Sequence, residues 1–139
     1  MNLYDTAPFA DILFGQEFVA GPPPPGSEMP AADRETLQAM RDSVVRLCEG
    51  ADLVIYDTMF TAEDYRSVPH YGHSRPSDAL EICRDAGAKA LALFHHAPER
   101  SDDEVDAMLA STRDLAARTC PSLSLMAAFE GLDLRLGPR

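Results

Sequence analysis

Five residues of this chain combine chemistry with position: Asp5, Asp57, His73, His95 and His96. Three short segments carry most of them. Asp57-Thr58-Met59-Phe60 follows an apolar strand, Gly72-His73-Ser74 precedes a helix, and Phe94-His95-His96 follows a second apolar strand. Each segment puts an acid or an imidazole at the carboxyl end of a strand or in the loop beyond it. In open α/β layers, ligands and metals gather at those ends. Imidazole nitrogens and carboxylate oxygens are the donors that hard and borderline cations accept. Two metals held ~3.5–4 Å apart activate a water and clamp a scissile group. The protein must then supply an acid for the leaving oxygen. The chemistry these residue types suit is hydrolysis.

Each residue also has a plainer reading. Asp57 reads equally as the end of a strand capping a turn, and His73 as a contact at a helix N-terminus. Of the His95-His96 pair, we take His95 as the ligand and His96 as a wall or support residue. Asp5 lies four residues from the start, where chains fray. His70 reads as a loop residue, and Asp102 and Asp103 as partners of a helix dipole.

The elements that must position these groups follow from periodicity. Asn2-Leu3-Tyr4 reads as a strand stub, followed by an irregular but apolar stretch to about residue 30. Residues 21–30 form a Pro-rich loop, with Gly21-Pro22-Pro23-Pro24-Pro25-Gly26 as a stiff spacer. Leu37, Met40, Val44, Leu47 and Cys48 recur at helical spacing and predict a helix from about Asp33 to Glu49, stopped by Gly50. Leu53-Val54-Ile55-Tyr56 and Ala90-Leu91-Ala92-Leu93-Phe94 read as fully buried strands. Thr61 caps a short turn. Ser74 or Ser77 caps a helix reaching Ala86, which Gly87 ends. Ser101-Asp102-Asp103-Glu104 is a capping box for a helix to about Arg118, with Val105, Met108, Leu109 and Leu115 inward. Leu123-Ser124-Leu125-Met126 and the strictly alternating Leu132-Asp133-Leu134-Arg135-Leu136 read as two closing strands. Met40, Met108 and Met126 belong to the core. The alternation implies a layered α/β fold. If the two apolar strands share a sheet and run parallel, Asp57 and His95 meet at one edge.

Bulk properties narrow the class. The 139 residues fit one domain, and 45% hydrophobic residues suffice for a core. The net charge of -11 opposes nonspecific binding to nucleic acid or to an anionic membrane surface. It leaves a phosphate substrate open, because a bound metal can dominate the local field. No apolar run approaches the ~18–20 residues that span a bilayer, and no signal peptide is expected at the N-terminus. Cys48, Cys83 and Cys120 are widely spaced and form no Cys-x-x-Cys, so a thiolate zinc site is not expected. Buried free thiols in a reducing cytoplasm fit better.

The order of the three segments, with their flanks, resembles the C-terminal half of the metallo-β-lactamase fold, in particular its phosphodiesterase-like hydrolases. The resemblance runs over about residues 4–136 and is strongest from Gly50 to Asp106. It implies an α/β fold, half of an αββα sandwich, and a two-metal site of zinc, with manganese or iron as variants. It implies that Asp5, in Tyr4-Asp5-Thr6, bridges the metals and that His95 is the last metal-binding histidine. Asp57 and His73 are similar to the acid–histidine pair that some phosphodiesterase members, the tRNA 3′-processing endonucleases among them, place beside the metals. Asp57 would orient His73, and His73 would donate the proton or contact the phosphate. Phe129-Glu130-Gly131-Leu132 looks like the family's last turn.

One departure qualifies all of this. The family's main zinc motif, His-x-His-x-Asp-His, does not occur in these 139 residues. With Asp5 and His95 as the family-type ligands, neither metal has a full shell, so the chain is expected to bind metal weakly and to be inactive alone. The incomplete layer invites self-association or pairing with an N-terminal half. The expected substrate is a small phosphodiester or other small ester, without nucleic acid or membrane as partners. The competing expectations are a subunit of a split hydrolase and a non-catalytic α/β interaction module.

Overall fold

The structure is a computed structural model that describes residues 2–3, 31–67 and 72–137. Asp5, His70 and the Pro-rich loop 21–30 lie outside the described residues. The elements are β1 (Asn2–Leu3), α1 (Ala31–Cys48), β2 (Val54–Asp57), α2 (Ala62–Ser67), α3 (Pro76–Ala86), β3 (Ala90–Phe94), α4 (Asp102–Thr119) and β4 (Ser124–Ala127). The strands form one parallel sheet in the order β1-β2-β3-β4. Parallel strands need crossovers, and here α3 and α4 lie between β2 and β3 and between β3 and β4. This is the expected α/β architecture, a small parallel sheet with flanking helices.

The two apolar runs occupy the middle of the sheet because they lack the polar alternation of an edge strand. Val54, Tyr56, Leu91 and Leu93 are buried, and α3 adds Ala79, Leu80, Ile82, Cys83 and Ala86 to the same core. α1 packs on α3, and α3 also meets β2, β3 and α4. Strand alternation puts Ile55, Ala92, Phe94 and Met126 on the opposite face. Of these four, Ala92 is buried and the other three are half-buried.

The β2–β3 register does the work of assembling a site. Val54 pairs with Leu91 and Asp57 with Phe94. Thr58 continues the ladder, its N–H donating to the Phe94 carbonyl at 2.9 Å. Asp57 and His95 therefore leave the sheet side by side at its carboxyl edge.

Several local expectations are corrected. α3 is not capped by Ser74 or Ser77. Arg75 is the N-cap in an extended conformation (φ -113, ψ 158), and Pro76 opens the helix. Pro suits the first helical position, and it drives the residue before it out of helical geometry. Asp78 answers from inside the first turn, accepting from the Arg75 backbone and guanidinium. Leu47 is not on the packed face of α1: it is 57% exposed, while Val44, Val45 and Cys48 face the core. Leu132–Leu136 is not a strand. Leu134 and Leu136 are 40% and 60% exposed, and among the described residues no strand pairs with this segment. Alternation makes a segment fit for a sheet, but a ladder partner decides whether it joins one.

Other signals hold. Gly87 ends α3 in the left-handed conformation, at φ 61. The Ser101–Glu104 capping box is formed. All three cysteines are buried and free. Burial, reinforced by Cys48 and Cys120 nearby, pushes the Cys83 thiol up to about 12.

Candidate active site

Asp57 ends β2 with no exposed side-chain surface. A buried carboxylate must be satisfied by donors, and here each oxygen has one. The Met59 N–H donates to Oδ1 at 3.1 Å. His73 Nδ1 lies 2.8 Å from Oδ2. With the carboxylate as acceptor, His73 Nδ1–H is the donor of this contact. That leaves Nε2 as the second, differently used nitrogen of the ring.

His73 arrives from the loop before α3, and two contacts set its plane. Phe60 meets it edge-on, with ring centroids 5.8 Å apart. His95 meets it the same way on another side, at 4.7 Å. The side chain of His73 is 16% exposed, so the ring is held but still reachable.

His95 has an unusual backbone. Its φ is 62, and it is the one non-glycine residue with positive φ among the described residues. Such a conformation costs roughly 1–3 kcal/mol in a non-glycine residue and clusters at functional sites. Here it turns the chain off the end of β3 while leaving Nδ1 3.6 Å from Asp57 Oδ1. Asp57 thus lies behind both imidazoles. His96 turns elsewhere: its Nε2 lies 3.1 Å from the Ala128 carbonyl, tying the β3 loop to the end of β4. Burial holds its imidazole below the usual histidine range, with Arg100 and His95 adding to the effect. His96 is thus engaged with the end of β4.

Asp57, His73 and His95 each offer one ligand atom, and these atoms lie within 4.8 Å of one another. The donor types fit a borderline divalent cation. Of the three, the carboxylate is already engaged by Met59 and His73, the position of a residue that orients ligands from behind. The residues able to face a cation are then the two imidazoles, with His95 at 36% side-chain exposure the more open. Catalytic zinc ordinarily takes three protein ligands. The described residues thus match a metal in kind and would supply part of its shell.

Phe60 and Arg100 carry no role in the sequence reading. Phe60 stands inside the quoted Asp57-Thr58-Met59-Phe60 segment, but an apolar residue there reads as core. Arg100 lies five positions after His95, and a lone arginine in a loop gives no signal of its partners. It donates to the Met59 carbonyl at 3.2 Å and to Asp64 Oδ2 at 2.7 Å. Burial pulls the Asp64 carboxyl up. The hydrogen bonds from Thr61 and Arg100, with the charge of Arg100, outweigh that and hold it below the usual carboxylate range.

Comparison with known proteins bears on the family of the chain. Residues 32–96 match the beta-lactamase superfamily domain. Ribonuclease Z of Brevibacillus brevis is 33% identical over 95 residues, which cover 68% of this chain and 29% of that protein. Ribonuclease Z of Geobacillus kaustophilus is 32% identical over 108 residues, covering 78% of this chain and 34% of the relative. The chain is a partial metallo-β-lactamase-fold domain. It spans about a third of the length of the curated relatives it matches. Among solved structures, the metallo-beta-lactamase fold protein YhfI from Bacillus subtilis matches at 27% identity with a TM-score of 0.47, over 66% of this chain and 34% of that one. The superfamily match spans the two segments that carry Asp57 and His73 and ends at His96, the residue after His95.

Proposed function

We propose that this chain carries the proton-handling side and one metal ligand of a metal-dependent hydrolase acting on phosphodiesters. The observation that carries the reading is the 2.8 Å contact of buried Asp57 with His73 Nδ1, with His95 against the same ring. Asp57 accepts from His73 Nδ1–H and so orients the ring. His73 Nε2 can then carry a proton to a leaving alkoxide oxygen, the task of a general acid. His95 would hold a metal, and Asp5 would bridge, as the resemblance implies. A bound zinc, manganese or iron would supply Lewis-acid polarisation of the phosphoryl group and a nucleophilic water.

The substrate class is argued from two sides. The relatives are named ribonuclease Z, which brings RNA into consideration against the sequence-based expectation of no nucleic acid partner. The net charge of -11 opposes tight RNA binding, because neutralising phosphates takes clustered Lys and Arg. We favour a small diester. A cytoplasmic location remains part of this reading; among the described residues no helix is long and apolar enough to cross a membrane.

A second reading has its own support. The His-x-His-x-Asp-His motif is absent from the 139 residues, which span about a third of the matched relatives. Activity would then require residues from outside these 139, or the module would be non-catalytic.

The test is hydrolysis of a small diester with an alkoxide leaving group, 2′,3′-cyclic AMP, with added zinc or manganese, beside cleavage and binding of an RNA oligonucleotide. The proposal expects no more than a trace of metal-dependent hydrolysis from this incomplete site, a trace that His73→Asn abolishes. Equal rates for folded wild type and His73→Asn would sink it. RNA binding that weakens steeply with salt would move the substrate to RNA.

A further inference from the structure

We propose that Arg100 is a positioning residue for the Asp57–His73 pair, acting through the loop of residues 58–61. The inference rests on the reading of that pair given above and extends it to a residue outside the three motifs.

Arg100 follows β3, and its side chain is 12% exposed. One guanidinium nitrogen, Nη2, donates both to the Met59 carbonyl at 3.2 Å and to Asp64 Oδ2 at 2.7 Å. The same carboxylate oxygen accepts from the Thr61 N–H at 2.9 Å and from the Thr61 hydroxyl at 2.8 Å. Arg100 therefore holds the loop at both ends, directly at Met59 and through Asp64 at Thr61.

What the loop carries between those ends is the site's support. The Met59 N–H occupies Asp57 Oδ1, so the other oxygen is the one presented to His73. The Phe60 N–H donates to the Ser74 carbonyl at 3.3 Å, one residue beyond His73. The Phe60 ring forms the wall against His73. Arg100 thus reaches both members of the pair through Met59 and Phe60 without touching either in the contacts described.

A plain helix staple for α2 would need only the Asp64 contact. The second contact, to the Met59 carbonyl, ties the guanidinium to the residue whose N–H engages Asp57. Both contacts come from one guanidinium nitrogen, so a lysine ammonium, with three donors on a flexible stem, can keep part of this network but not its fixed geometry.

The experiment is proton NMR of the 139-residue chain with labelled histidine, following the low-field imidazole N–H of His73 and its exchange with water. His73→Asn identifies the resonance by removing it. In Arg100→Met, exchange is expected to quicken by about tenfold or more, the scale set by one hydrogen bond to a charged group. Arg100→Lys should fall between wild type and Arg100→Met. Asp64→Asn should act in the same direction. The Arg100→Met/Asp64→Asn double variant should be no faster than Arg100→Met alone, because both act through one network. Unchanged exchange in an Arg100→Met chain that keeps the amide signals of β2 and β3 would overturn the inference, as would strictly additive effects. Should Arg100→Met fail to fold, Arg100→Lys and Asp64→Asn decide by the same signal. If wild type shows no resonance that His73→Asn removes, the pair itself is wrong and the inference falls with it. If the resonance is present and indifferent to Arg100, this inference alone is wrong.

Discussion

Replacing Asp57 by asparagine separates the charge of this residue from its shape. The wild-type carboxylate is fully buried and takes Met59 N–H on Oδ1 and His73 Nδ1–H on Oδ2. The introduced amide can accept one of these donors with its oxygen and must present its NH2 to the other. If the oxygen keeps Met59, two donors face each other at His73, and the ring must move its proton to Nε2. If the amide flips, the Met59 N–H loses its acceptor. One hydrogen bond to a charged group is lost either way, about 1.5–3 kcal/mol. That corresponds to roughly ten- to a hundredfold in the tautomer or folding equilibrium. Asp57→Ala removes both acceptors and leaves the Met59 N–H unsatisfied as well, a further ~1–3 kcal/mol. Urea unfolding followed by circular dichroism reads the stabilities, and nitrogen chemical shifts of the His73 ring read the tautomer. The expected order is wild type, Asp57→Asn, Asp57→Ala, with the His73 proton moved to Nε2 or the Met59 amide newly exposed to exchange in the first variant. Wild-type stability in both variants, with the proton still on Nδ1, would refute the account of Asp57.

Three further predictions follow from the packing and the titrations. Leu93→Ala, at a position with no exposed surface, should cost about 2–5 kcal/mol in urea unfolding, whereas Leu47→Ala, 57% exposed, should stay within about 0.5 kcal/mol. The Cys83 thiol keeps its proton up to about 12 when folded, but an unfolded thiol loses it near ~8.5. The unfolded state therefore holds fewer protons above that point, so stability should fall as pH rises from ~8.5, by up to ~1.4 kcal/mol per unit. Urea midpoints at pH 8 and pH 10 should show the fall in wild type and a smaller one in Cys83→Ala. All three cysteines should resist a thiol reagent in the folded chain and react once it is unfolded, because each is buried.

The two central strands were legible because buried parallel strands read as continuous apolar runs. Leu53–Tyr56 and Ala90–Phe94 are unbroken apolar runs flanked by helix and turn signals, and from their pairing the meeting of Asp57 and His95 follows. His73 was legible through its place before a helix and through the resemblance of the motif order. The cap at Arg75 was missed because serine hydroxyls outrank arginine as caps, while Pro76 decided the start through its ring geometry. The alternating Leu132–Leu136 segment was misread because its pattern says nothing about whether a partner strand is present. Arg100 was illegible for a deeper reason. Its partners Met59 and Asp64 lie 41 and 36 positions earlier, and that contact exists only after β2 and β3 pair. Asp5, assigned by the resemblance alone, lies outside the described residues.

The central claim is that His95 is a metal ligand at the edge shared by β2 and β3, with His96 turned away to Ala128. Calorimetric titration of the chelator-free chain with zinc, beside His95→Ala and His96→Ala, tests it most directly. The account predicts weak binding by the wild type, lost by about tenfold or more in His95→Ala and kept within error in His96→Ala. Equal affinity in wild type and His95→Ala, or a loss confined to His96→Ala, would contradict it.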